Sequence, residues 1–137
     1  MIVGLASEQD LPAVFALRHE VFVVGQGVPE ELERDDLDAV SDHAVAVVDG
    51  TLVGTGRLLP DATIGRMAVA SSARGAGVGA AVLARLEERA RERELPAVEL
   101  HAQVHAQGFY DRAGYLPVGE VYLEAGIEHR TMRKELC

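Results

Sequence analysis

Three groups of residues in this 137-residue chain have the types and spacing to do chemistry. The densest is Arg74-Gly75-Ala76-Gly77-Val78-Gly79-Ala80, a turn that follows an apolar run ending Met67-Ala68-Val69 and precedes a helical pattern. A strand that feeds a helix through such a turn leaves several N–H groups free at the helix N-terminus, all pointing the same way, which suits a phosphate. Glycine at 77 and 79 would let the main chain approach that ligand without a Cβ in between. The second group is the alternating run Ala97 to His105, which puts Glu99, His101, Gln103 and His105 on one face and Val98, Leu100, Ala102 and Val104 on the other. A neutral imidazole on that face is tuned to take a proton near pH 7. The third is the acidic stretch Glu30 to Asp38, which reads as a solvated loop or short helix, or as a wall that holds a cationic substrate by its carboxylates.

Several better-known chemistries fail on spacing. A nucleotide P-loop ends in Gly-Lys-Ser or Gly-Lys-Thr, and here Ala80-Ala81 follows Gly79. A dinucleotide fingerprint needs Gly-x-Gly-x-x-Gly after an early parallel strand; the spacing here is Gly-x-Gly-x-Gly, after a meander. The acidic stretch has neither the Asp spacing nor the central glycine of an EF-hand. His101 and His105, four apart on a strand, would stand about 13 Å from each other, too far to share a metal. Cys137, the single cysteine and the last residue, is a poor nucleophile candidate.

The elements that must position these groups follow from periodicity. Ile2 and Val3 mark a first strand. Ser7-Glu8-Gln9-Asp10 with Pro12 is a capping-box-like helix start, and apolar residues at 11, 14, 15, 17, 21 and 22 carry that helix to about Val23. His43 to Val48 and Leu52 to Leu59 flank Asp49-Gly50-Thr51, a hairpin signal, and Thr63 to Val69 completes an antiparallel meander leading into the glycine turn. The helix after the turn places Val78, Val82, Leu86 and Ala90 on one face, with Glu87 and Arg91 spaced for an ion pair. Leu95-Pro96 ends it, and the Ala97 strand should lie parallel to its predecessor through a right-handed crossover. Gln107 to Ala113 is a short helix closed by Gly114, and two last strands, Val118 to Leu123 and Glu128 to Leu136, surround Ala125-Gly126. The pattern predicts one α/β domain over residues 1–137, with no linker or repeat.

Composition narrows the function classes. A hydrophobic fraction of 48% with 26% charged residues places the chain among ordinary folded domains. The net charge of −9 opposes nucleic acid as a partner and favours cationic small molecules. No apolar run approaches the roughly 20 residues of a bilayer span, no signal-peptide pattern opens the chain, and one cysteine permits no internal disulfide. A cytoplasmic protein without membrane contact, monomer or homodimer, is the expectation.

Arg74-x-x-Gly77-x-Gly79 after Met-Ala-Val on a strand, followed downstream by Ala106-x-x-Phe109-Tyr110-x-x-x-Gly114-Tyr115, resembles the two signatures of the GNAT (GCN5-related N-acetyltransferase) superfamily, in order and on matching elements. The stretches VFVVGQGVPEELERDD, HAQ, FYDRAGY and VGEVYLEAGIEHRTM are similar to the small ElaA-like branch. The resemblance spans nearly the whole chain. It implies a mixed, mostly antiparallel sheet flanked by helices and an N-acetyltransferase that uses acetyl-CoA as co-substrate and no metal. By the same likeness the diphosphate would lie on the N–H groups of Arg74, Gly75, Ala76, Gly77, Val78, Gly79 and Ala80. Met67, Ala68 and Val69 would run beside the pantetheine, with Phe109 bordering it, and Tyr110 would be the general acid for the departing thiolate. Departures fall on the acceptor side. Thr63, Gly65 and Arg66 stand where many relatives carry a strand-four glutamate, and Gly25, Gly108, Ser71 and Gln103 replace common Glu, Asn, Pro and Asn. The general base is therefore sought in His105 acting through a water, with Glu33 and Asp35 as base or amine anchors and Gln103 as a substrate contact. A non-catalytic acyl-CoA-binding module is the alternative.

Overall fold

The computed structural model describes residues 1–136, so Cys137 lies outside the described residues. Its centre is one seven-stranded sheet in the order β1-β2-β3-β4-β5-β7-β6. The strands are β1 (Ile2–Leu5), β2 (Asp42–Val48), β3 (Thr51–Leu58), β4 (Thr63–Val69), β5 (Ala97–Gln103), β6 (Leu116–Glu124) and β7 (Ile127–Glu135). All neighbours are antiparallel except β4 and β5, the pair joined by the crossover. The expected meander and parallel step are both present. Each hairpin turn has the residues its backbone demands: Asp49 and Gly50 take φ of 49° and 78°, Ala125 and Gly126 take 52° and 76°. Positive φ at both central residues matches the right-handed twist of the strands and fixes a two-residue loop.

Helices cover the two faces. α1 (Leu11–Arg18), entered through a turn whose Ser7 N–H donates to Asp10 Oδ2 at 2.8 Å, lies on one face. The helix does not run to Val23 in one form as its period suggests: from His19–Val24 it widens to a π-helix that ends at Gly25. Such widening often accompanies a functional site. α2 (Glu30–Glu33) is a single turn beyond it.

α3 (Val78–Glu92) crosses the opposite face, packing Val78, Val82, Leu83, Leu86 and Ala90 against Ala44, Ala46, Leu58, Val98 and Leu100. It can sit close because β3 places two glycines beneath it: a Cβ on Gly54 would lie 2.4 Å from Val78 Cγ1, and one on Gly56 2.9 Å from Leu86 Cδ1. α4 (Gln107–Arg112) ends at Gly114 with φ of 96°, as expected for a closing glycine. Glu87 does not pair with Arg91. It turns inward, accepting from the buried Tyr115 hydroxyl at 2.7 Å and from Lys134 Nζ at 2.9 Å, and so ties α3 to β7.

Candidate active site

β4 and β5 are paired only at Thr63 with Glu99 and Ile64 with Leu100, and then they part. The cause lies in β4. Between Thr55–Ala68 and Arg57–Gly65, Gly56 of β3 faces both Arg66 and Met67, a bulge in which Arg66 takes φ of 52°. A bulge bends its strand and increases the local twist, swinging Met67, Ala68 and Val69 away from β5. Ala70 N–H still donates to Val53 O on β3 at 2.8 Å, so by alternation the N–H and C=O of Val69 face the opened seam. The seam is a wedge with unpaired main-chain groups along one wall.

The glycine turn stands at the mouth of this wedge. Gly75 and Gly77 have φ of 81° and 79°, and Gly77 caps α3 from the left-handed region. A Cβ on Gly77 would meet nothing within 4 Å, so the space over the turn is open. Gly79 has a different cause from the one its spacing suggests. Its missing Cβ points at Phe109 Cζ, 3.5 Å away, and at Val69 Cγ2, 3.7 Å away, which is ordinary packing distance and not clearance for a ligand. The contact locks the start of α3 to α4 and to β4.

Tyr110, one residue on, stacks edgewise on Phe109 with centroids 5.0 Å apart and on Tyr115 at 5.8 Å. Burial pushes its hydroxyl up to about 12, so the phenol keeps its proton at neutral pH. That hydroxyl has no protein hydrogen-bond partner among the described residues.

The acidic loop is spoken for by the protein's own arginines. Arg18, 1% exposed, grips Glu33 through Nε and Nη2 at 2.8–3.1 Å and reaches Asp38 at 2.7 Å. Arg57 holds Asp35 and Asp38 at 2.7 and 2.8 Å, and Arg66 lies 3.2 Å from Glu33 and 3.5 Å from Asp35. Burial alone would raise the Asp38 carboxyl, but hydrogen bonds from Arg18, the Asp35 backbone and Arg57 bring it down to about 2. The Arg57 hydrogen bond likewise lowers Asp35. Glu33, at 3% exposed, and Asp35 thus serve to fasten the loop to α1, β3 and β4, and neither presents an uncompensated charge to an incoming amine. Arginine at 18, 57 and 66, set in apolar or strand stretches, was the available signal: a cation inside a core face needs a buried anion.

His105 is also displaced from its expected position. β5 stops at Gln103, and Val104–Ala106 forms a 3₁₀ turn, so His105 is exposed on that turn and does not share the face of His101. Gln103 and His101 remain on it. Gln103 Nε2 donates to Gln26 Oε1 at 3.0 Å, joining β5 to the loop behind the π-helix. His101 Nδ1 is hydrogen-bonded to the Tyr122 hydroxyl, and the Tyr122 ring stacks on His129 at 6.1 Å and 25°. His129 Nδ1 donates to Ile127 O at 2.7 Å, with Nε2 3.5 Å from Glu124. Tyr122 and His129 did not emerge from motif reading, yet the two-residue turn at Ala125-Gly126 pairs them by counting outward. No cluster of potential metal ligands occurs among the described residues.

A glycine-capped helix N-terminus opens beside a wedge between two parting parallel strands, and by family and fold the chain is an acyl-CoA-dependent acetyltransferase. Residues 6–136 match the family described as Acetyltransferase (GNAT) domain. The uncharacterized N-acetyltransferase YjcF of Bacillus subtilis is 38% identical, over 94% of this chain and 95% of its own. Protein ElaA of Escherichia coli is 36% identical over 95% and 90%, and its crystal structure superposes with a TM-score of 0.83. An acyl-CoA N-acyltransferase from Pseudomonas aeruginosa, 36% identical, superposes with a TM-score of 0.86 over 98% of this chain and 99% of its own. The chain belongs to the GNAT superfamily, in its ElaA-like branch.

Proposed function

We propose that this acetyltransferase moves the acetyl group of acetyl-CoA directly to a primary amine of a small molecule, with no acyl-enzyme stage. The observation that carries the reading is the wedge itself. Its wall of unpaired β4 backbone is a strand edge for the pantetheine amides, and the Arg74–Ala80 turn at its mouth faces open space from a helix N-terminus. Met67, Ala68 and Val69 line the arm. Arg74, Gly75, Ala76, Gly77, Val78, Gly79 and Ala80 hold the diphosphate, and Phe109 closes the side.

The chemistry assigned to the chain is small in number of groups. Tyr110 gives its proton to the sulfur as the C–S bond breaks, and its high pKa keeps that proton available throughout the neutral range. An N–H of the β4 edge steadies the oxyanion. Gln103, on the far side of the sheet from the core, contacts the acceptor. An amine acceptor accords with the net charge of −9, which persists after the loop acids are matched by arginine. The protein works in the cytoplasm, as a monomer or homodimer.

Thiol release from acetyl-CoA over spermidine, glucosamine and lysine tests this. Turnover with at least one amine supports it; the absence of any turnover, together with no acetyl-CoA heat by calorimetry, removes it. Thr63, Gly65 and Arg66 leave β4 without a carboxylate, which favours a second reading, a module that holds acyl-CoA without reacting it. That reading predicts acetyl-CoA heat and no thiol.

A further inference from the structure

We propose that His101 is the general base of the transfer and that Tyr122, lying on His129, is the residue that aims it; the inference rests on the amine-acetylation reading above. The placement is specific. Ile64–Leu100 is the last β4–β5 pair, so His101 is the first β5 residue beyond the point where the seam opens. Val98, Leu100 and Ala102 belong to the core against which Phe109 and Tyr110 pack. His101 alternates to the opposite side, the side of Gln103 and its Gln26 contact. Acid and base therefore flank the wedge from its two faces, as attack on one side of a thioester and departure from another require.

The other proton acceptors nearby are engaged. Glu33 and Asp35 are held by Arg18, Arg57 and Arg66. Glu99, one register position below the opening, lies 3.5 Å from Arg133. His101 keeps one nitrogen in play. Its Nδ1 is bound to the Tyr122 oxygen, which leaves Nε2 for the acceptor. A phenol oxygen can accept the Nδ1 proton whether the ring is neutral or charged, so the imidazole gains a proton at Nε2 without turning.

The groups facing His101 are few. Tyr122 comes from β6, and behind it lie His129 from β7 and Glu124. Thr131 stands opposite on β7, Glu99 and Arg133 lie two register positions away on the same face, and Arg66 sits on the bulge across the seam. Tyr122 owes its reach to a β6 irregularity: between Val118–Thr131 and Tyr122–His129, Gly119 takes φ of 77°, and Arg130 Nε donates to its carbonyl at 3.1 Å. The protons balance. An acceptor ammonium gives one proton to His101 Nε2 and on to solvent, and the freed amine attacks the thioester carbon. The second proton leaves nitrogen as the C–S bond breaks and replaces the one Tyr110 delivers to sulfur. The third stays on the amide.

The test compares wild type, His101→Gln, His105→Gln and Tyr122→Phe, using whichever of spermidine, glucosamine or lysine turns over fastest, from pH 6 to 9. His101→Gln should lower kcat/KM for the amine by about 10²-fold at pH 7 and abolish the acidic limb of the profile, with the acetyl-CoA KM unchanged. Tyr122→Phe should keep the limb, shift its midpoint and reduce kcat several-fold, since the base remains but is no longer aimed. A His101→Gln enzyme that keeps the wild-type limb and rate overturns the inference while amine acetylation stands, as does loss of the limb in His105→Gln alone. A wild type that binds acetyl-CoA and acetylates none of the three amines removes both.

Discussion

Single residues in this protein divide between those whose chemistry is local and those whose meaning depends on what lies across the sheet. Tyr110 is of the first kind. Its proton is retained by burial, so kcat should show no alkaline fall attributable to it below about pH 10, and Tyr110→Phe should lower kcat by about 10²-fold with acetyl-CoA affinity kept, as steady-state kinetics and calorimetry would read. Gly77 and Gly79 look alike in sequence and are not. Gly77 needs its φ of 79°, and Gly77→Glu, which adds strain and a carboxylate to the cradle, should abolish acetyl-CoA binding by calorimetry. Gly79 has ordinary φ and only van der Waals neighbours, so Gly79→Ala should leave that affinity within a few-fold.

At the scale of elements, the organising device is a strand that bends. The Arg66 bulge opens the β4–β5 seam, and the same arginine reaches back to the Glu33 carbonyl at 3.0 Å, so the acidic loop is tied to the strand whose edge lines the open seam. The tie continues through Arg18 into α1 just where the π-helix begins. Arg18→Met would strip the buried Glu33 of its closest cation, leaving it only the part-exposed Arg66, and would take one of two arginines from Asp38. A loss of about 3–5 kcal/mol in urea unfolding is expected, and that outcome separates a structural network from a solvated acidic loop, whose loss would cost little.

The whole molecule feels the same network through pH. Asp38 titrates at about 2 in the folded protein against an ordinary 3.8, and Asp35 is lowered with it. The folded state therefore binds fewer protons than the unfolded one in that range, so these groups contribute stability that is fully present above about pH 4. That contribution, on the order of 2 kcal/mol from Asp38, should be lost as pH falls toward 2, seen as a falling urea midpoint. A second whole-molecule tie is Tyr115–Glu87–Lys134, which joins α3, the end of α4 and β7. Tyr115→Phe, which strips Glu87 of one buried donor, should cost about 1–3 kcal/mol in the same measurement.

Much of this was legible in the chain because it is decided by neighbours in sequence. Period-2 and period-3.6 patterns, Asp49-Gly50, Gly114 and the glycines before the long helix are local demands of backbone and solvent, and they located the strands, that helix and the turn that opens it. Alternation misled at one point: it continues to His105, but β5 ends at Gln103 where its ladder with β7 ends, and partners decide where a strand stops. What the fold alone could decide was electrostatic pairing at long range. Glu33 and Asp35 read as free carboxylates until Arg18, Arg57 and Arg66 came within 4 Å, and His101 was one imidazole among several until the seam opened beside it and Tyr122 reached it across β7. Charges separated by tens of residues meet only when the sheet is assembled, and a side chain's chemistry is set by the partners it meets there.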